Sequence, residues 1–352
     1  EKTVDLANFS LNDKSAEYTG SKIELDIPAT LPEGVESISF TYTDKDGNTV
    51  AAPTNVGTYT ATAVFTVKDN YVLPADLSTN PKTATLTINK KAVTVTLKDD
   101  TVKTSVYGDA IITYNNDSLT ATGLAEGDTI ADLGITVKAY KEYTDKDNKT
   151  ELVAGDSVGT DYPIVLESTN TNYDIAFIPA YYSITARNVT VSLVDTAVKT
   201  SVYGDAIVTY NNDSLTATGL AEGDTVADLG MTVKAYKEYT ADSKVELQKG
   251  DNVGANYPIK GESTNTNYNV TFTDATYSIT AKSITVAIRN TNKLSSVYKA
   301  EINSFEIDDY IVRETPVAPE TEGTEITGTE KESLQIEIKA YKTYTDAEKV
   351  LL

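Results

Sequence analysis

The sequence predicts a mostly β protein built from tandem small β-sandwich modules that form an elongated rod. A segment of 42 residues, Lys103–Thr144, recurs at Lys199–Thr240 with three changes, each between apolar side chains. Short stretches with an apolar residue at every second position recur at matching places, as expected of half-buried strands. No linker rich in Gly, Ser or Pro separates the repeats. The connections therefore have few free torsion angles, which favours a semi-rigid array.

Four repeats can be aligned on a tyrosine near the start of each unit, with a spacing of about 95 residues. Two later motifs, a Val-Gly turn and an Asn-Tyr pair, recur in the first three units but not in the fourth. An incomplete unit with an open sheet edge should be the least stable part. We predict domains at residues 1–90, 91–186, 187–281 and 282–352. The aligned tyrosines are Tyr18, Tyr107, Tyr203 and Tyr298, and the pairs are Asn70-Tyr71, Asn172-Tyr173 and Asn267-Tyr268.

The boundary between neighbouring repeats carries a change of phase. Leu86 and Ile88 precede the first boundary, and Val93 and Val95 follow it, so the apolar positions switch from even to odd numbers. Because alternation of period two decides which face of a strand is buried, the next strand should bury its opposite side.

One short helical segment is predicted in each complete repeat, at Asp128–Leu133 and Asp224–Leu229. Asp128 is the expected N-cap, and Gly134 is the expected end. A small sandwich with immunoglobulin-like proportions fits a unit of this length. If the segment lengthened into a helix across the sheet, each unit would instead be a β-grasp-like module with one short helix.

The composition restricts the classes of partner. The formal net charge is −22 over 352 residues, which repels nucleic acid and anionic membrane surfaces. No apolar run reaches the roughly 20 residues that a spanning helix needs. We expect no membrane insertion, a monomeric chain, and further domains of a longer parent protein on either side, because neither end carries a signal peptide or a sorting motif.

The chain lacks the residues that most catalytic and metal sites need. It contains no His and no Cys, which removes the common general base, the usual nucleophilic arrangements and the usual zinc ligands. The acidic run at Asp44–Asn48 lacks the spacing of a calcium loop and reads as a hairpin turn. Asp145–Asn148 reads the same way. We therefore expect no enzyme activity, no cofactor and no metal.

Tyrosine is the enriched residue, with 23 Tyr against 6 Phe and no Trp. Tyr140 and Tyr143 lie three apart in a predicted strand, and Tyr236 and Tyr239 repeat the pattern. Odd spacing places the members of a pair on opposite faces, so one member should face solvent. An exposed tyrosine row could stack on sugar rings, and these four residues are the candidate glycan-binding residues. The alternative is that they pair across strands and fill the core.

Other tyrosines recur at turn positions and are expected to pin corners of the fold. They are Tyr107, Tyr173, Tyr203 and Tyr268. Asp109, Asp128, Asp205 and Asp224, each following a glycine, are expected to serve turns or caps.

The combination of these motifs over residues 91–281 resembles the MBG repeat of the Tyr-Gly-X type, which is related in name to mucin-binding repeats. Residues 1–90 resemble a relative of this repeat, with Leu31–Tyr42 in place of the Gly-Leu-x-x-Gly-Asp element. The fourth unit departs further, with Lys299 where Gly is expected. The resemblance implies an extracellular, secreted or wall-attached surface protein of the adhesin type, often from gut Gram-positive bacteria. It implies no ligand and no binding residue.

Two functions follow as expectations. The first is a non-catalytic spacer or display stalk in adhesion, which the near-identical repeats and the linkerless connections favour. The alternative is a multivalent array that binds mucin or dietary polysaccharide, in which repetition would raise avidity.

Overall fold

The computed structural model describes residues 1–289, 294–296, 301–302, 304–315, 323–344 and 349–351. Tyr298 and Lys299, on which part of the fourth alignment rests, lie outside the described residues. Two compact units can be distinguished. The first comprises Glu1–Asn188, Gly219–Asp224 and Thr266–Asn269, and the second comprises Val189–Thr218, Thr225–Asn265 and Val270–Leu352.

The first repeat consists of a two-stranded parallel sheet and a five-stranded sheet. The small sheet pairs β1 with β6, and the large sheet has the order β2-β7-β5-β3-β4. A 3-10 helix lies at Ala75–Ser78. The strands are β1 (Lys2–Thr3), β2 (Lys14–Glu17), β3 (Val35–Thr43), β4 (Thr49–Val50), β5 (Gly57–Val67), β6 (Tyr71–Val72) and β7 (Thr83–Asn89).

The second repeat has a three-stranded and a five-stranded sheet. Its strands are β8 (Lys91–Leu97), β9 (Thr104–Val106), β10 (Leu119–Thr122), β11 (Ile135–Tyr143), β12 (Lys149–Glu151), β13 (Gly159–Ser168), β14 (Tyr173–Phe177) and β15 (Ala180–Thr185). The sheet orders are β10-β8-β14 and β12-β11-β13-β15-β9. Strand β8 pairs antiparallel with β10 and parallel with β14. Short 3-10 helices lie at Asn116–Ser118 and Ile130–Leu133.

The third repeat has the same two sheet orders, β18-β16-β22 and β17-β23-β21-β19-β20. Its strands are β16 (Arg187–Leu193), β17 (Thr200–Val202), β18 (Leu215–Thr218), β19 (Met231–Tyr239), β20 (Lys244–Glu246), β21 (Gly254–Ser263), β22 (Tyr268–Phe272) and β23 (Ala275–Thr280). Its 3-10 helices are Asn212–Ser214 and Val226–Leu229.

The described part of the fourth repeat contains a smaller set of elements. These are β24 (Ile284–Ile288), β25 (Tyr310–Glu314), β26 (Glu325–Ile326), β27 (Tyr341–Tyr344), β28 (Lys349–Leu351), a 3-10 helix at Ile307–Asp309 and helix α1 (Gly328–Ser333). The sheets are β24-β25-β26 and the pair β27-β28. A small core of Tyr310, Val312 and Ile326 holds this repeat together. No helix in the described part of the chain is long and apolar enough to cross a membrane.

The complete repeats are β-sandwiches, as the sequence predicts. In the second repeat, Val93 and Val95 of the three-stranded sheet are buried, and so are Ile164, Tyr182 and Ile184 of the five-stranded sheet. Burial on one face of each sheet is the pattern of two sheets packed face to face. The chain is therefore a tandem array of small β-sandwich modules.

The short helical segment does not lengthen into the helix that a β-grasp-like unit needs. It is a 3-10 turn of four residues, Ile130–Leu133, and Gly134 ends it in the left-handed conformation at φ 54°. The expectation that Asp128 caps it is wrong. Thr129 is the N-cap, and its backbone N–H and hydroxyl both donate to the Asp132 carboxylate, at 2.8 Å and 2.7 Å. This reciprocal arrangement leaves Asp128 free for another role.

The phase change at the first boundary is present in the structure. Strand β7 ends at Asn89 and β8 begins at Lys91. Leu86 and Ile88 are buried on one side of the boundary, and Val93 and Val95 are buried on the other. The acidic turn at Asp44 is a hairpin turn, because its carboxylate accepts the N–H groups of Asp46 and Asn48. Such local bonds stabilise the turn conformation.

Candidate functional sites

The tyrosine pair lies on β11, next to the edge strand β12 of the five-stranded sheet in the second repeat. The register between β11 and β12 shifts between Tyr140 and Glu142. Tyr140 and Tyr143 consequently contact each other, with ring centroids 5.1 Å apart. The prediction that they occupy opposite faces is wrong, because a bulge residue reverses the alternation between them.

The same arrangement recurs in the third repeat. The register between β19 and β20 shifts between Tyr236 and Glu238. The rings of Tyr236 and Tyr239 lie 4.9 Å apart in an edge-on contact. The bulge is therefore a shared feature of the second and third repeats.

Only one member of each pair reaches solvent. Tyr140 and Tyr236 are 4% and 6% exposed, so neither offers a ring face to a ligand. Tyr143 and Tyr239 are half-buried. The Tyr239 hydroxyl donates to Glu262 at 2.8 Å, and the ammonium group of Lys244 lies 5.3 Å from its ring. These contacts tie the β19–β20 hairpin to the neighbouring strand β21.

Shallow grooves lie beside these strands. In the second repeat, a cavity of about 300 Å³ is lined by Thr136, Lys138, Tyr140, Lys149, Glu151 and Glu167. In the third repeat, a groove of about 500 Å³ runs along β19, between the segment at Ala206–Tyr210 and the segment at Glu246–Lys249. Its lining combines apolar side chains, among them Val208 and Leu247, with charged groups such as Glu246. Among the described residues, no group of three or more acids is placed to hold a metal ion.

A second site joins the first two repeats inside the first compact unit, and we call it the repeat joint. The Asp128 carboxylate accepts hydrogen bonds from the Tyr173 hydroxyl at 2.6 Å and from the Tyr18 hydroxyl at 3.1 Å. The two tyrosine rings meet edge to face, with centroids 5.3 Å apart. The Tyr173 hydroxyl also accepts the Ala125 N–H at 2.8 Å. One aspartate of the second repeat thus binds a tyrosine of each repeat.

The repeat joint includes a second group of hydrogen bonds, at the Asn-Tyr motif. The side-chain oxygen of Asn172 accepts the Val56 N–H at 2.9 Å, and its amide nitrogen donates to the Asn55 side chain at 3.0 Å. The first repeat contributes the Val-Gly turn to this contact, and the second contributes the asparagine. These two contacts and the one-residue connection at Lys90 restrict the movement of one repeat against the other at three points.

Equivalent residues make the same contacts elsewhere in the first compact unit. The Asp224 carboxylate accepts from the Tyr268 hydroxyl at 2.6 Å and from the Tyr107 hydroxyl at 3.2 Å. The Asn267 side chain accepts the Val158 N–H at 2.9 Å. The repeat joint is therefore a repeating device.

The glycine of the Tyr-Gly motif allows the close approach. Gly108 has φ 82°, and a Cβ built on it would lie 2.4 Å from the Cβ of Ala221. Gly20 has φ 79°, and a Cβ there would lie 3.1 Å from the Glu126 carbonyl oxygen. Both positions need glycine for conformation, and Gly108 needs it for space as well.

The residues of the joint stand out in the sequence, but the sequence pattern does not show that they contact one another. Tyr107 and Tyr203 lie in turns, as expected, whereas Tyr173 and Tyr268 are the first residues of strands β14 and β22. Asp128 and Asp224 bind tyrosine hydroxyls and do not cap a helix. A usable signal was present, because the aspartate, the Asn-Tyr pair and the Tyr-Gly motif recur together at constant spacing in the second and third repeats.

The tyrosines of the joint make stability depend on pH in the alkaline range. Burial, together with the hydrogen bond to Asp128, raises the pKa of Tyr173 to about 12, and Tyr268 is raised to about 12 by burial and Asp224. The unfolded chain loses these protons near pH 10. The stabilisation is therefore complete below pH 10 and is lost as the pH rises towards 12. Urea unfolding at pH 9 and pH 11.5 should show a smaller alkaline loss in Tyr173→Phe/Tyr268→Phe, and an equal loss would contradict the assignment.

Removing the shared carboxylate should uncouple the first two repeats. Asp128→Ala leaves the hydroxyls of Tyr18 and Tyr173 without their acceptor, which costs about 1–3 kcal/mol. A double-mutant cycle with Tyr18→Phe should give a coupling of roughly 0.5–3 kcal/mol by chemical denaturation. Asp132→Ala is the matched control, because Asp132 caps the neighbouring turn within its own repeat. Equal coupling of both aspartates to Tyr18 would argue against the joint.

No protein-family model matches the chain, and no curated protein matches it. Three domains of the bacteriophage RB49 highly immunogenic outer capsid protein are similar at 13% identity and TM-score 0.24, covering 76% of this chain and 96% of that one. The four N-terminal Ig domains of Dscam1 are similar at 10% identity and TM-score 0.21, covering 77% and 72%. The Bacteroides ovatus protein SGBP-B, in complex with a mixed-linkage heptasaccharide, shares 13% identity at TM-score 0.15, covering 86% and 76%. Scores this low carry no argument, and the β-sandwich assignment rests on the sheets themselves.

Proposed function

We propose that this chain is a non-catalytic spacer and display segment of a bacterial surface protein, secreted or attached to the cell wall. The repeat joint is the observation that carries the proposal. Asp128 and Asn172 each bind both the first and the second repeat, so these two modules hold each other in a set orientation. A stalk needs this property, because a freely jointed chain of modules does not transmit position.

The direct passage of one repeat into the next supports the same function. A single residue, Lys90, separates β7 from β8. The resemblance to MBG repeats supports the surface location, and the net charge of −22 suits a solvated, mutually repelling array.

Small-angle X-ray scattering on the intact chain tests the proposal. A compact globule of this length has a radius of gyration of about 20 Å. Four modules in line, each ~40 Å long by strand rise, give about twice that radius. We expect the larger value, and it should persist at high salt because the joint is held by short-range bonds. A radius near 20 Å would refute the stalk.

A multivalent glycan-binding array is the second candidate, and the polar cavity beside β11 favours it. Tyr143 contacts Tyr140, which lines this cavity. Tyr143 and its counterpart Tyr239 are the accessible members of their pairs. A glycan array probed with the intact chain and with Tyr143→Ala/Tyr239→Ala tests this function. Binding that is lost in the folded double variant but kept in Tyr181→Ala, an exposed tyrosine of the same repeat, supports it. No binding to mucin or plant polysaccharides would leave the stalk as the function.

A further inference from the structure

The first strand of each of the first three repeats has a parallel partner at one edge. The partners are β1 with β6, β8 with β14, and β16 with β22. Each partner strand begins with the tyrosine of the Asn-Tyr motif. The pairing starts in the same way every time, with a basic residue donating its N–H to the asparagine carbonyl: Lys2 to Asn70 at 2.8 Å, Lys91 to Asn172 at 3.1 Å, and Arg187 to Asn267 at 3.0 Å.

In the fourth repeat, the corresponding strand β24 pairs with β25 alone among the described residues. Lys282 stands where Lys91 and Arg187 stand, and Val286 stands where Val95 and Val191 stand. The carbonyls of Val95 and Val191 accept the Ile178 and Thr273 N–H groups that follow the partner strands. Strand β24 thus presents the backbone edge that holds a parallel strand in the other repeats.

The direction of the backbone groups also indicates that β24 has an edge available opposite β25. Ser283 accepts from Thr315, and Arg289 donates to Asp309, so the odd-numbered residues of this segment point towards β25. The even-numbered residues, Val286 among them, point to the opposite edge, because backbone groups alternate along a strand. Val286 is 40% exposed, whereas its counterparts Val95 and Val191 are fully buried.

The third repeat presents the matching half of a joint. Tyr203 is 41% exposed, whereas its counterparts Tyr18 and Tyr107 are buried against an aspartate and a second tyrosine. Val253 is 52% exposed, whereas Val56 and Val158 are half-buried and donate to an asparagine side chain. In the first compact unit, the groups that cover these positions include the asparagine and tyrosine that open the partner strand.

We propose that β24, together with Tyr203 and Val253, is an acceptor site for an extended segment of the pattern Asn-Tyr-x-(Ile/Val)-x-Phe. The segment adds to β24 as a parallel strand. Its asparagine carbonyl accepts the Lys282 N–H, its asparagine side chain accepts the Val253 N–H, and its tyrosine packs against Tyr203. One segment therefore occupies three separate positions. Main-chain bonds along the edge supply affinity, and the asparagine and tyrosine supply selectivity.

The probe is a fluorescent synthetic peptide with the sequence of Thr169–Pro179, which contains Asn172, Tyr173, Ile175 and Phe177. Anisotropy titration with the intact chain should show saturable binding. Replacing the asparagine and the tyrosine of the peptide with alanine should weaken binding roughly tenfold or more, since it removes a side-chain acceptor and an aromatic contact. Tyr203→Ala in the protein should weaken binding several-fold.

Val286→Pro is the decisive variant. Proline removes an N–H that points away from β25 and places its ring at the acceptor edge, and an edge strand tolerates this change when the N–H faces solvent. Circular dichroism should match that of the parent chain, while peptide binding falls at least tenfold. A peptide that does not bind at millimolar concentration would overturn the acceptor site. The site would also be overturned if the peptide bound Val286→Pro as tightly as the parent chain and the alanine peptide bound the parent chain equally well. Neither result bears on the stalk, which scattering tests separately.

Discussion

Gly108→Ala should open the contact between Gly108 and the loop that contains Ala221. Alanine at φ 82° costs about 1–2 kcal/mol in backbone strain. The new Cβ would also lie 2.4 Å from the Cβ of Ala221, and such overlap costs about 1–3 kcal/mol more. Hydrogen exchange by mass spectrometry should therefore show faster exchange in peptides that cover 219–224 and 266–269, by roughly tenfold or more, since exchange reports local opening.

Gly155→Ala separates strain from overlap. Gly155 has φ 89° in the same repeat, but a Cβ there meets nothing within 4 Å. This variant should lose about 1–2 kcal/mol from strain alone and leave exchange at 219–224 unchanged. If both variants accelerate exchange at that loop equally, close packing at Gly108 is not what holds the contact.

Tyr140→Ala should destabilise the second repeat by about 3–5 kcal/mol, as expected for a large buried aromatic side chain. Tyr140 is 4% exposed and contacts Tyr143, and the Lys149 ammonium group lies 5.5 Å from its ring. Exchange should accelerate along β11 and β13, where the sheet loses this cover. A change of this size would also remove any ligand binding indirectly, so Tyr140 and Tyr236 are unsuitable for testing glycan recognition.

Tyr181→Ala is the matched control for this loss. Tyr181 lies in the same repeat and is 55% exposed, so its removal should change stability by about 0.5 kcal/mol or less. Comparable destabilisation in the two variants would mean that Tyr140 is not a core residue, and it would restore Tyr140 as a candidate ligand contact.

The sequence predicted the fold class because alternation is a local property. The apolar positions around Val93 and Val95 and the change of phase after Ile88 are visible in the chain itself, and the structure confirms both. The predicted face of Tyr143 was wrong because of a bulge in β11. A bulge depends on how β11 pairs with β12, and the local sequence pattern does not show that pairing. The prediction that Asp128 caps the helical turn was wrong. Its bond to Tyr18 was not predicted, because the two residues lie 110 positions apart.

Each residue of the repeat joint is recognisable in the sequence, but the contacts between them are not. Tyr18, Asp128 and Tyr173 belong to different motifs, and each has an adequate local explanation as a turn or cap residue. Only the three-dimensional arrangement shows that one carboxylate serves two hydroxyls. The glycan hypothesis remains a prediction for Tyr143 and Tyr239, while burial changes what can be expected of Tyr140 and Tyr236.

The repeat joint also bears on how such a gene can change. The second repeat carries both halves of the joint: Tyr107 and Val158 form the half that receives the next repeat, and Asp128 and Asn172 form the half that enters the previous one. Unequal recombination between near-identical coding segments removes or adds one such unit at a time. Each product still presents a receiving half to an entering half, so no new interface has to evolve. Alleles that differ in length by multiples of about 95 codons would therefore encode proteins that fold equally well and differ only in reach.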